Sequence, residues 1–110
     1  MEATAMTARW IDVCAVDDIP LRGARVVRLP GVEIGLFRLA SGDVRAIDNR
    51  CPHRRGPLSE GIVHDNAVTC PLHSWVIDLA TGRARGADEG CVRIFPVEIR
   101  GDARVAIQID

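Results

Sequence analysis

Two short segments of the chain combine thiol and imidazole side chains. One is Cys51-Pro52-His53; the other, after sixteen intervening residues, is Cys70-Pro71-Leu72-His73. Thiolates and neutral imidazoles both ligate metals, so the patterns C-x-H and C-x-x-H offer four donors of two kinds. A tetrahedral zinc ion could take all four. Zinc sites more often pair like with like, cysteine with cysteine and histidine with histidine, whereas here each segment mixes the types. The mixture suits a two-iron, two-sulfide cluster with both thiolates on one iron and both imidazoles on the other. Such a core is dicationic when oxidised. Two thiolates neutralise it, and a neutral group is less costly to bury than a dianion and accepts an electron more readily.

The other chemically capable residues read as structural. His64 falls in Val63-His64-Asp65-Asn66 and is expected as an exposed turn residue. Cys14 and Cys91 lack a partner at ligand spacing and are expected to be buried free thiols. Asp88 and Glu89, between Gly86 and Gly90, are expected in a solvated turn rather than as an acid–base pair. Leu58 is expected as apolar cover for the metal site, and Trp75 as a shield against water, a partner-docking residue or a core aromatic. There is no nucleophile–base pair and no phosphate-binding glycine loop.

Short β-rich segments punctuated by turns must position these donors. Strands are expected at Trp10–Val13, Arg25–Leu29, Val32–Leu36 and Val44–Ile47, with turns at Asp17–Pro20, Pro30-Gly31 and Ser41-Gly42. A last strand alternates Val105, Ile107 and Ile109 with Arg104, Ala106, Gln108 and Asp110, which predicts one buried and one wet face. Pro96, within the run Ile94–Arg100, predicts an edge position or a bulge. No window sustains a capped helix of three turns. The expected fold is all-β, an antiparallel β sandwich or barrel, forming a single domain over 1–110. Residues 48–91, rich in Gly and Pro, are expected to form a loop-rich cap on it.

Length and composition agree with that scale. At 110 residues and 12.0 kDa, a folded chain exposes roughly 6,000 Å² against about 17,000 Å² extended, enough for a thin core. Apolar residues make up 47% and charged residues 26%, which excludes intrinsic disorder. The net charge of −1 argues against nucleic acid or an anionic membrane as partner. The start of the chain lacks a signal-like apolar run, and no stretch is long enough to span a bilayer, so the expected location is cytoplasmic.

The two ligand segments resemble the Rieske [2Fe–2S] proteins. The resemblance implies a Rieske-type cluster with Cys51 and Cys70 on the inner iron and His53 and His73 on the outer one. High-potential members carry an extra disulfide between the loops and Ser and Tyr donors after the second histidine. Here Arg55 and Leu72 stand in the loops and Trp75 and Ile77 at the donor positions, so a potential on the order of −150 mV is expected. Family members often have Gly where Arg55 stands, and many Rieske loops have Gly where Ser74 stands.

A longer likeness runs through Cys51–Val63, Val68–Leu79 with Thr81-Gly82, and Asp88–Arg93 with Phe95–Val97. These stretches are similar to the small subunit of NAD(P)H-dependent assimilatory nitrite reductase. That similarity implies an electron-transfer subunit of an oxidoreductase, without substrate chemistry of its own. Its implied partner is a large subunit bearing flavin and sirohaem that reduces nitrite to ammonium in nitrate assimilation. The alternative is a Rieske ferredoxin serving an aromatic-ring-hydroxylating dioxygenase; a zinc-bound structural module is a third reading.

Overall fold

The computed structural model describes residues 9–51, 56–71, 74–85 and 90–109. Ten strands are present among them: β1 (Trp10–Ala15), β2 (Ala24–Leu29), β3 (Val32–Arg38), β4 (Val44–Asp48), β5 (Ile62–His64), β6 (Ala67–Thr69), β7 (Val76–Asp78), β8 (Ile94–Phe95), β9 (Val97–Arg100) and β10 (Arg104–Gln108). Single 3-10 turns occur at Val16–Asp18 and Leu58–Glu60, and no described residue is α-helical. The strands form three antiparallel sheets, ordered β1-β10-β9, β2-β3-β4-β8 and β5-β6-β7. The fold is all-β and antiparallel, as expected.

Local sequence explains the central sheet. Leu29 and Val32 pair across the two-residue link Pro30-Gly31. Proline presets the first turn position, and Gly31 supplies the positive φ of 82° that the second requires. The four expected strands between Trp10 and Ile47 are found, each extended by one or two residues at an end, whereas the last strand stops at Gln108, short of Ile109.

The burial pattern of β3 departs from simple alternation. Ile34, Gly35, Leu36 and Phe37 are all buried, because the sheet is covered on both faces. Ile34 and Leu36, with Val44, Ala46 and Phe95, face one core together with Cys14, Val105 and Ile107. Phe37 and Ile47 face a second core that contains Leu58, Val63, Val68, Ile77, Leu79 and the two cysteines Cys51 and Cys70. The β2-β3-β4-β8 sheet thus separates a framework core, shared with β1 and β10, from a core shared with β5–β7 and the cysteine loops.

Two expectations change. Ala106 is buried along with Val105 and Ile107, so the alternation on β10 does not leave a wet face there; alanine is small enough to be covered on either side. The run Ile94–Arg100 is not one strand. It divides at Pro96, with β8 pairing β4 and β9 pairing β10. Proline has no N–H for a ladder, and its carbonyl instead accepts from Gln108 at 3.0 Å.

Candidate metal centre

The first cysteine lies three residues beyond β4. Its main-chain N–H donates to the carbonyl of Gly56 at 2.8 Å, and Arg50 and Pro57 form an isolated bridge, so the loop closes at its base. The second cysteine follows β6 directly. Its N–H donates to Trp75 O at 2.7 Å, while Ser74 N–H donates to Cys70 O at 3.1 Å. Each loop thereby springs from a strand end and is pinned by main-chain hydrogen bonds.

Cys51 and Cys70 are 1% and 2% exposed and belong to one apolar cluster. Neither is in a disulfide. Two thiolates brought into such an interior unaccompanied would be strongly disfavoured, whereas a dicationic core neutralises both. The sulfur half of the donor set therefore fits a neutral cluster. His53 and His73 lie outside the described residues, as do Pro52, Arg55, Leu72, Asp88 and Glu89. Among the described residues no group of three or more His, Cys, Asp or Glu side chains could hold a metal.

The surroundings are apolar, as expected of a cover. Leu58 is fully buried in the cysteine cluster, and Trp75 is half-buried against it. Leu58 is carried by the 3-10 turn Leu58–Glu60, which runs into Gly61. A Cβ at Gly61 would stand 2.1 Å from Thr69 O, so only glycine lets this strand entry lie against the residue before Cys70. Loop two also contains a non-glycine residue at positive φ, Ser74 at 58°. The Rieske resemblance implies glycine at that position in many related loops.

Three other expectations meet the structure differently. His64 is not an exposed turn residue. It ends β5, is half-buried, and its Nε2 pairs with Thr69 Oγ1 at 2.6 Å; the turn itself is Asp65-Asn66. Cys14 is buried as expected, and burial pushes its thiol pKa up. Cys91 is exposed, contrary to expectation, because it joins only an isolated bridge to Arg83, with no sheet to cover it. The residue that sequence reading missed is Asn49, the buried polar side chain of the described residues. Its signal was a turn-forming amide ending a hydrophobic strand two positions before a candidate ligand.

Residues 9–96 match the Rieske [2Fe-2S] domain family. The chain belongs to that family. It is thus an electron-transfer domain of an oxidoreductase system, and family membership implies a Rieske-type [2Fe–2S] cluster. Along 94% of its length it is 35% identical to the ferredoxin component of a naphthalene 1,2-dioxygenase system from Pseudomonas aeruginosa, covering 99% of that protein. Among solved structures, a candidate NADH-dependent nitrite reductase small subunit from Mycobacterium tuberculosis superposes with a TM-score of 0.86 at 26% identity, over 94% of this chain and 97% of that one. The ferredoxin of carbazole 1,9a-dioxygenase from Nocardioides aromaticivorans IC177 superposes with a TM-score of 0.81 at 25% identity, over 89% and 95%. The sequence likeness thus gives more weight to the dioxygenase ferredoxins than the ligand-loop motifs alone did.

Proposed function

We propose that this Rieske domain is a ferredoxin that carries single electrons to an aromatic-ring-hydroxylating dioxygenase. The observation that carries the reading is end-to-end alignment with a small ferredoxin component, at 35% identity and with both chains nearly fully covered. The nitrite reductase small subunit, which the loop motifs favour, becomes the second reading. It is supported by the fit to the mycobacterial chain and by the segment Asp88–Val92. Both readings place the chain beside a larger oxidoreductase partner.

Cys51 and Cys70 would hold one iron and His53 and His73 the other. When bound, the cluster supplies one-electron redox chemistry. The chain's own residues perform the rest. The strand ends of β4 and β6 fix where the thiolates emerge, and the main-chain bonds of Cys51 and Cys70 hold each loop closed. Leu58, Val63, Val68 and Ile77 exclude water from the sulfur side. The segment 48–91 acts as the cap that presents the site.

The test is anaerobic loading of the purified chain with iron and sulfide, then turnover with two electron-transfer systems. Rieske absorption, with reduction by a ferredoxin reductase and delivery to a naphthalene-type oxygenase, supports the ferredoxin. Capture of a sirohaem- and flavin-bearing large subunit from cells grown on nitrate would overturn it in favour of the second reading. A colourless chain that retains zinc would overturn both. His53→Ala and Cys70→Ser should each lose the Rieske absorption.

A further inference from the structure

Asn49 is 1% exposed and makes four hydrogen bonds. Its main-chain N–H donates to Glu33 O at 2.9 Å, and its main-chain carbonyl accepts from Leu58 N–H at 2.7 Å. In its side chain, Nδ2 donates to Glu33 Oε2 at 2.7 Å and Oδ1 accepts from Ser59 N–H at 2.7 Å. One residue thus binds β3 to the 3-10 turn that carries Leu58.

The need for such a residue follows from the turn. The leading N–H groups of a helical turn have no partner inside it, and a side-chain cap usually supplies one. The residue in the capping position is Pro57, which makes no side-chain cap bond. Asn49, eight and more residues earlier, caps from outside, serving both Leu58 and Ser59. Space for it is left by Gly35 on β3, where a Cβ would stand 3.1 Å from Asn49 Oδ1 and 2.9 Å from Phe37 Cε1. The outer end of the link is Glu33, whose Oε1 pairs with Arg28 Nε at 3.3 Å.

We propose that Asn49 is a positioning residue for the cluster: by capping the Leu58 turn across the fold, it holds the dry wall shared with Cys51 and Cys70 and thereby sets the reduction potential. This rests on the ligand set proposed above. Reduction adds one negative charge to a site that is neutral when oxidised. Water admitted beside it stabilises the reduced form more than the oxidised form. Loosening the wall therefore raises the potential.

The test is Asn49→Leu, which keeps the approximate size and removes the side-chain hydrogen bonds. Amide exchange at Ser59 is read in the apo chain, and potential and EPR g-values in the loaded chain. The expected result is lost protection at Ser59 and at least a tenfold higher ratio of reduced to oxidised protein at a fixed poise, about 59 mV for one electron. Glu33→Gln keeps an acceptor for Nδ2 and should retain wild-type g-values and Ser59 protection. Wild-type potential and g-values in Asn49→Leu, with only a lower melting temperature, would overturn the proposal. If Asn49→Leu does not load, Glu33→Ala is compared with Glu33→Gln. The two share the same loss of charge, so a higher potential and lower Ser59 protection in Glu33→Ala isolate the hydrogen bond, and no difference overturns the proposal. A wild-type chain without Rieske absorption would instead overturn the ligand reading, and the spectrum tells the two failures apart.

Discussion

Ser74 N–H donates to the carbonyl of Cys70 at 3.1 Å, and it does so from a left-handed backbone with φ of 58°. The bond lies within the wider link from Cys70 N–H to Trp75 O. A Cβ in that conformation costs about 1 kcal/mol, which glycine avoids. Ser74→Gly should therefore stabilise the chain by about 0.5 kcal/mol after the added unfolded-state entropy of glycine is counted. Ser74→Val, branched at Cβ, should destabilise it by about 1–2 kcal/mol. Urea unfolding of both variants checks the ordering, and a Ser74→Val as stable as Ser74→Gly would refute the strain.

Leu58→Ala removes a fully buried side chain from the cluster that holds both cysteines. A cost of about 3 kcal/mol is expected, within the usual range for large-to-small core changes. If the residue also keeps water from the cluster, loaded protein should bleach faster in air than the wild type at a temperature where both are folded. Absorbance decay measures this. A destabilised variant with unchanged bleaching would leave Leu58 a packing residue only.

Much of this architecture is legible in the sequence because its signals are local. Pro30-Gly31 fixes a turn, and the Val and Ile runs on either side pair in the register that the turn dictates. The two cysteine segments stand out because C-x-H and C-x-x-H are rare combinations, and the structure brings Cys51 and Cys70 into one core. What was not legible depends on contacts distant in the chain. Ala106 is buried as a small residue between its cross-strand partners Asp12 and Glu98, and Cys91 is exposed for lack of a covering sheet. Asn49 owes its role to Glu33 and Ser59, which lie sixteen residues before it and ten after it. His64 owes its setting to a cross-hairpin partner, Thr69, which no one-dimensional pattern marks.

Cys14 and Cys91 should separate in a labelling experiment. Burial raises the thiol pKa of Cys14 and also blocks access to it, whereas Cys91 is exposed. Iodoacetamide at about pH 8 should alkylate Cys91 in the folded, loaded chain and leave Cys14 intact, as read by peptide mass mapping. The raised pKa also has a sign for stability. The unfolded chain ionises first as pH rises, so Cys14 makes folding less favourable above the ordinary thiol range. Modification of Cys14 at the rate of Cys91 would contradict its burial.

Asp78 should give the chain part of its acid sensitivity. Its Oδ2 accepts from Arg85 Nη2 at 2.9 Å, and its Oδ1 accepts from the N–H groups of Ala80 and Thr81 at 2.8 and 3.0 Å. These bonds order the turn that leaves β7, where Gly82 N–H also donates to Asp78 O. The Arg85 hydrogen bond holds the carboxyl below its usual range, with burial opposing and the two main-chain donors adding to the effect. A depressed folded-state pKa means that the stabilisation is fully present above the unfolded value of about 3.9 and is lost as pH falls through the folded one. Asp78→Ala should cost about 1 kcal/mol at neutral pH, from two lost turn hydrogen bonds and a lost charged bond, all exposed to solvent. That deficit relative to the wild type should shrink as pH drops below about 4. Asp78→Asn keeps an acceptor for the two amides and should lose mainly the Arg85 contribution. Urea midpoints for the three proteins between about pH 2 and 7 decide the matter. A deficit in Asp78→Ala that stays constant into acid would show that the carboxylate charge contributes nothing there.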